Sequence, residues 1–120
     1  MSTTRSIYTS TAKTFVVTKK HVKNGKTLLT NVLFLEIEQY LQNIISKYEA
    51  FINTNPKLYK IQMLKNAYLN DCLQLNAQVK KLNHLELHIQ ITAAQKKQKP
   101  KTICKATYKF PIEKELPKAS

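Results

Sequence analysis

A chain of 120 residues with 42% hydrophobic content has room for one core and one domain. None of its apolar runs reaches the roughly 20 residues that a membrane-crossing helix needs. The formal net charge of +13 excludes an electrostatically indifferent surface, because charge of that size draws polyanions and speeds encounters with them.

The basic residues are nearly all of one kind: 19 are Lys and only Arg5 is Arg. Specific base reading and bidentate phosphate contacts favour Arg, so the composition argues against sequence-specific nucleic-acid recognition. Three readings of the charge stay open. It is a solvated surface, a nucleic-acid footprint, or a field that steers an acidic carrier protein or the phosphates of coenzyme A. The opening MSTTRSIYTSTAK has no apolar centre of the kind a secretory signal carries, so a cytoplasmic protein is expected. Cys72 and Cys104 show no CxxC spacing and no neighbouring His cluster; buried free thiols are expected, and no metal site.

In chain order, a flexible Ser/Thr-rich start over 1–11 leads into a single domain over 12–113, with a flexible tail at 114–120. Residues 12–20 (AKTFVVTKK) have the β-branched and aromatic content of a strand. The polar loop HVKNGKT follows and holds the only glycine, Gly25, where a sharp turn is expected. Over 28–52 apolar residues recur at helical spacing: Val32, Leu33, Ile37, Tyr40, Leu41, Ile44, Ile45, Tyr48, Phe51 and Ile52. Leu28, Leu29, Phe34 and Leu35 widen that stripe, which predicts a helix enclosed over most of its girth. Thr27 or Thr30 is the expected cap, and Asn53-Thr54-Asn55-Pro56 the stop.

The remainder alternates with period two, which gives four strands. Their inward sets are Tyr59, Ile61 and Met63; Leu73, Leu75, Ala77 and Val79; Leu85, Leu87, Ile89 and Ile91; and Thr102, Cys104, Ala106, Tyr108 and Phe110. Polar links near Asn83 and over 95–100 suit hairpins, and hence antiparallel neighbours. His84 and His88 are four apart but on a strand, so they share a face without the helical geometry of a metal pair, and a surface role is expected. The order strand, helix, four strands, with a helix too apolar for a flat sheet, fits an α+β domain of either the hotdog or the cystatin-like type.

The stretch His21-Val-Lys-Asn-Gly-Lys-Thr-Leu-Leu-Thr-Asn-Val-Leu-Phe-Leu-Glu36 resembles the active-site segment of hotdog 3-hydroxyacyl-carrier-protein dehydratases, which place a His just before the central helix and an acid within it. Ala67-Tyr68-Leu69-Asn70-Asp71 with the strand after it, and 102–110, are similar to that family's later turn and last strand. Thr30-Asn31 stands where the family has Pro-Gly.

The resemblance implies a hotdog fold and catalysis by His21, as the base that removes the α proton, and Glu36, as the acid that protonates the departing hydroxyl. Asn24, Gly25, Asn31 and Val32 would bind substrate, and backbone N–H groups near Asn31 would face the thioester oxygen. It further implies no cofactor beyond the coenzyme A or carrier-protein phosphopantetheine that bears the acyl group, and a homodimer or higher oligomer in which the two catalytic residues meet across a dimer interface. Read against the hotdog thioesterases, Asn31 falls near their Asn/His position at the helix start, and Asn24 where they often carry Asp; an Asn cannot act as a general base, so that alignment implies weak or absent thioesterase activity. The alternatives kept are an acyl-CoA or acyl-carrier-protein thioesterase, a catalytically degenerate subunit paired with an active homologue, and a basic nucleic-acid binder.

Overall fold

A computed structural model describes residues 12–23, 26–47, 52 and 57–112. The segments expected to be flexible, 1–11 and 114–120, lie outside these, as do Asn24, Gly25 and the stop at 53–56. The elements are β1 (Lys13–Val16), one turn of 3-10 helix (Lys19–His21), α1 (Thr30–Ile45), β2 (Lys57–Met63), β3 (Cys72–Leu82), β4 (Glu86–Gln95) and β5 (Lys101–Pro111). The five strands form one antiparallel sheet in the order β1-β3-β4-β5-β2.

The meander β3-β4-β5 follows from the period-two pattern and from its links. Asn83 closes the first hairpin by accepting the N–H groups of Leu85 (2.8 Å) and Glu86 (2.9 Å) on Oδ1. Leu73, Leu75, Leu87, Ile89, Ile91 and Phe110 point to one side and are fully buried. Against them lies the stripe Leu33, Ile37, Leu41 and Ile45 of α1, spaced four apart and likewise buried, so that each contributes roughly 1.5–3 kcal/mol of apolar transfer. The helix packs on β3 and β4.

Several expectations change. The helix ends at Ile45 rather than Ile52: Ser46 turns its hydroxyl onto the Asn43 carbonyl (2.8 Å), a local bond that competes with the helical ladder. Ile52, still buried, bridges to Ile112 instead. The cap is Leu29 in extended geometry, and neither Thr27 nor Thr30 caps through its side chain. Nor is the helix enclosed all round, because Asn31, Leu35, Glu38, Gln39, Gln42 and Asn43 are exposed in the single chain.

Two register shifts account for the misplaced strand residues. A shift between Leu58 and Lys60 puts Leu58 in register with Tyr108 and turns Tyr59 outward, against His88 and under Lys109, whose Nζ sits 4.0 Å from the ring centroid. Another between Ala93 and Ala94 buries Ile103 beside Cys104, while Thr102 is only half-buried. Leu85 belongs to the hairpin and is exposed. Both cysteines are free; Cys104 is buried, whereas Cys72, expected to be buried too, is half-buried. No helix among the described residues is long and apolar enough to cross a membrane.

Candidate functional site

The segment that leads into α1 is tied to its surroundings by backbone bonds. After β1, the Thr18 carbonyl accepts the His21 N–H (2.9 Å) and closes the 3-10 turn. The His21 carbonyl then accepts the Leu29 N–H (2.9 Å), and Val22 bridges Leu28, so His21 and the first turn of α1 are held as one piece. Leu28 N–H donates to the Ala67 carbonyl (2.8 Å) and Thr27 bridges Tyr68, which docks this piece on the turn before β3. Two non-glycine residues take left-handed geometry here, Lys26 (φ 59°) and Asn70 (φ 74°). Asn tolerates that region, and Lys26 takes it where the chain turns back toward the helix start.

His21 is half-buried, with its ring against Phe15 at 4.9 Å. Its Nδ1 accepts the Thr18 backbone N–H at 3.0 Å, and the Thr18 hydroxyl lies 3.0 Å from the same nitrogen. A backbone N–H can only donate, so Nδ1 must offer its lone pair, and the proton of the neutral ring resides on Nε2. The free nitrogen of His21 is therefore a donor.

Glu36 sits in the second turn of α1, beside the buried stripe, and is half-buried. Its Oε1 lies 3.2 Å from Lys13 Nζ on β1. The same face of β1 thus reaches both candidates, through Lys13 to Glu36 and through Phe15 to His21, but His21 and Glu36 form no bond or ion pair with each other within the chain. Asn31 is exposed and Val32 packs half-buried against the core. The backbone N–H groups of Thr30 and Asn31 have no partner among the described residues, since the first bonds of the helix run from Val32 and Leu33 to the Leu29 carbonyl.

On the other side of the Ala67–Asp71 turn, an open cleft of about 470 Å³ is lined by Lys65, Tyr68, Asp71, Gln95, Lys97 and Lys101, among others. Asp71 Oδ2 accepts the Tyr68 N–H (2.8 Å) and the Gln95 side-chain amide (3.0 Å). The sequence placed Asp71 in a turn and Lys97 in a hairpin link; nothing local showed that the β2–β3 link and the β4–β5 hairpin meet around one hollow.

Elsewhere, Glu86 contacts Lys81 Nζ (3.0 Å) and His88 Nε2 (3.0 Å); the His88 contact is not aligned as a hydrogen bond. These neighbours, Lys81 foremost, hold the Glu86 carboxyl below the usual carboxylate range. His84 is exposed, and no cluster of metal-ligating side chains occurs among the described residues.

No family model and no curated protein matches the chain in sequence. Solved structures do match in fold. An acyl-CoA hydrolase from Staphylococcus aureus, in complex with butyryl coenzyme A, coenzyme A and coenzyme A disulfide, superposes with a TM-score of 0.73 at 16% identity over 90% of this chain and 69% of that one. A hypothetical thioesterase from Streptococcus pneumoniae with coenzyme A gives 0.70 at 15% identity over 88% and 80%. The 4-hydroxybenzoyl-CoA thioesterase of a Pseudomonas species gives 0.68 at 6% identity over 88% and 84%. The solved forms of the staphylococcal hydrolase include alanine variants of an asparagine and of an aspartate fifteen positions after it. At these identities the likeness is one of architecture, and it identifies the fold as hotdog.

Proposed function

We propose that the chain is a hotdog hydrolase of acyl thioesters, nearer the thioesterases than the dehydratases. The observation that carries this reading is the pairing of a donor-locked imidazole, His21, with a lysine-held carboxylate, Glu36, on one framework. Dehydration would need His21 to accept a proton, and its available nitrogen already bears one. Hydrolysis needs a base for water and donors for the carbonyl oxygen, and that division of labour suits these two residues. The fifteen-position spacing of His21 and Glu36 equals that of the asparagine and aspartate replaced in the staphylococcal hydrolase; an asparagine amide, like Nε2–H, can donate.

In this mechanism Glu36 takes a proton from water while the oxygen adds to the thioester carbonyl. The charge that develops on the carbonyl oxygen meets His21 Nε2–H and the idle N–H groups of Thr30 and Asn31, reinforced by the helix dipole. Collapse breaks the C–S bond, and the thiolate takes the proton back from Glu36, leaving acid and thiol. Val32 lines the acyl path at the helix start. Since His21 and Glu36 do not meet within one chain, the working form is a homodimer that sets Glu36 of one copy against the helix entrance of the other.

The test is release of free thiol from acyl-CoA esters of varied chain length by the purified protein. Glu36→Gln should lower kcat at least 100-fold with the fold intact. Hydration of 2-enoyl-CoA without thiol release, or cleavage indifferent to Glu36→Gln, would overturn the reading.

A further inference from the structure

Of the 17 lysines in the described residues, only Lys13 and Lys81 are within ion-pair distance of a carboxylate there. Three of the unpaired ones, Lys65, Lys97 and Lys101, converge on the open cleft, brought together from the β2–β3 link and from both ends of the β4–β5 hairpin. The one carboxylate in the lining, Asp71, is already held by the Tyr68 N–H and the Gln95 amide. Like charges gathered at one hollow repel one another, so the arrangement favours a multiply charged anion. Lys suits phosphate as a point charge on a flexible stem and needs no bidentate geometry. Tyr68, about half exposed, adds an aromatic surface to the same wall, and a base can stack on such a ring. The cleft is also placed with respect to the helix: Tyr68 bridges Thr27, and Ala67 accepts the Leu28 N–H, just ahead of the helix start.

From this we infer that the cleft seats the nucleotide end of coenzyme A, a 3′-phosphorylated adenosine diphosphate, with Lys65, Lys97 and Lys101 on the phosphates and Tyr68 beside the base. The inference rests on the hydrolase reading for the other end of the ligand, and it selects coenzyme A over a carrier protein, whose arm offers a single phosphate.

Calorimetry with adenosine 3′,5′-bisphosphate tests the seat without any turnover. The wild type binds it, the affinity falls as ionic strength rises, and Lys97→Glu with Lys101→Glu weakens it at least tenfold; Lys97→Gln with Lys101→Gln gives a smaller loss. In kinetics, the wild type prefers an acyl-CoA to the matching acyl-pantetheine by at least tenfold in kcat/KM, and this preference collapses toward one in the Glu pair through a rise in KM. Bisphosphate binding equal in wild type and both variant pairs overturns the seat. Tighter binding of 4′-phosphopantetheine than of the bisphosphate overturns the choice of coenzyme A, and equal competition by inorganic phosphate overturns the nucleotide assignment. Lysine-dependent bisphosphate binding without thioester cleavage leaves the seat standing and overturns the hydrolase; cleavage indifferent to both lysine pairs does the reverse.

Discussion

The imidazole of His21 is defined by the residue three positions before it. Thr18 presents its N–H to Nδ1 and so decides which ring nitrogen carries the proton. If the role of His21 is donation, an amide should replace it. His21→Asn is expected to keep thiol release within about tenfold of wild type, whereas His21→Ala should cost about 100-fold or more, the scale set by loss of one donor to a developing oxyanion. The comparison of kcat for the two variants checks this, and equal losses in both would return His21 to a base. Both residues stood out in the sequence, His21 just ahead of the helix and Glu36 as a carboxylate among apolar neighbours. Their partners did not: no periodicity announces that Lys13 reaches Glu36 across from β1, or that a backbone N–H fixes a tautomer.

Among the elements, β3, β4 and the central stripe of α1 were legible because buried apolar residues keep strict periods of two and near four. What failed was where regularity breaks. A register shift moves Tyr59 to the opposite face, and alternation cannot foresee it. The helix end was overrun because Tyr48, Phe51 and Ile52 continue an apolar rhythm past Ser46. The exposed side of α1, with Leu35, and the uncovered inner face of β2, with Leu58 and Met63, leave more apolar surface in water than one chain needs. In the proposed dimer a second copy covers it. Light scattering should give twice the monomer mass, and Leu35→Glu with Met63→Glu should shift it to the monomer and abolish thiol release. A monomeric wild type would remove the dimer from the mechanism.

Taken whole, the molecule places its two shifted interior protons in one layer. Burial pushes the Cys104 thiol up to about 11 from an ordinary 9.0, and the Tyr108 phenol up to about 12 from 10.0, the latter helped by the negative charge of Glu38 and then of Cys104. The native state therefore holds both protons more tightly than the unfolded chain, so their contribution is complete below about pH 9 and is lost as pH climbs toward 12. Tm should fall progressively across that window and fall less in Tyr108→Phe; a flat Tm up to about pH 11, roughly midway between the unfolded and folded values of Tyr108, would contradict the burial of both groups.

Leu29 heads the central helix with a side chain that can accept nothing. A serine there would add about 1 kcal/mol of stability, and its hydroxyl would satisfy one of the amides at the mouth of the helix that an arriving carbonyl would otherwise find vacant. Robustness and receptivity are thus set against each other at a single position, and the chain has kept the greasy, less secure choice.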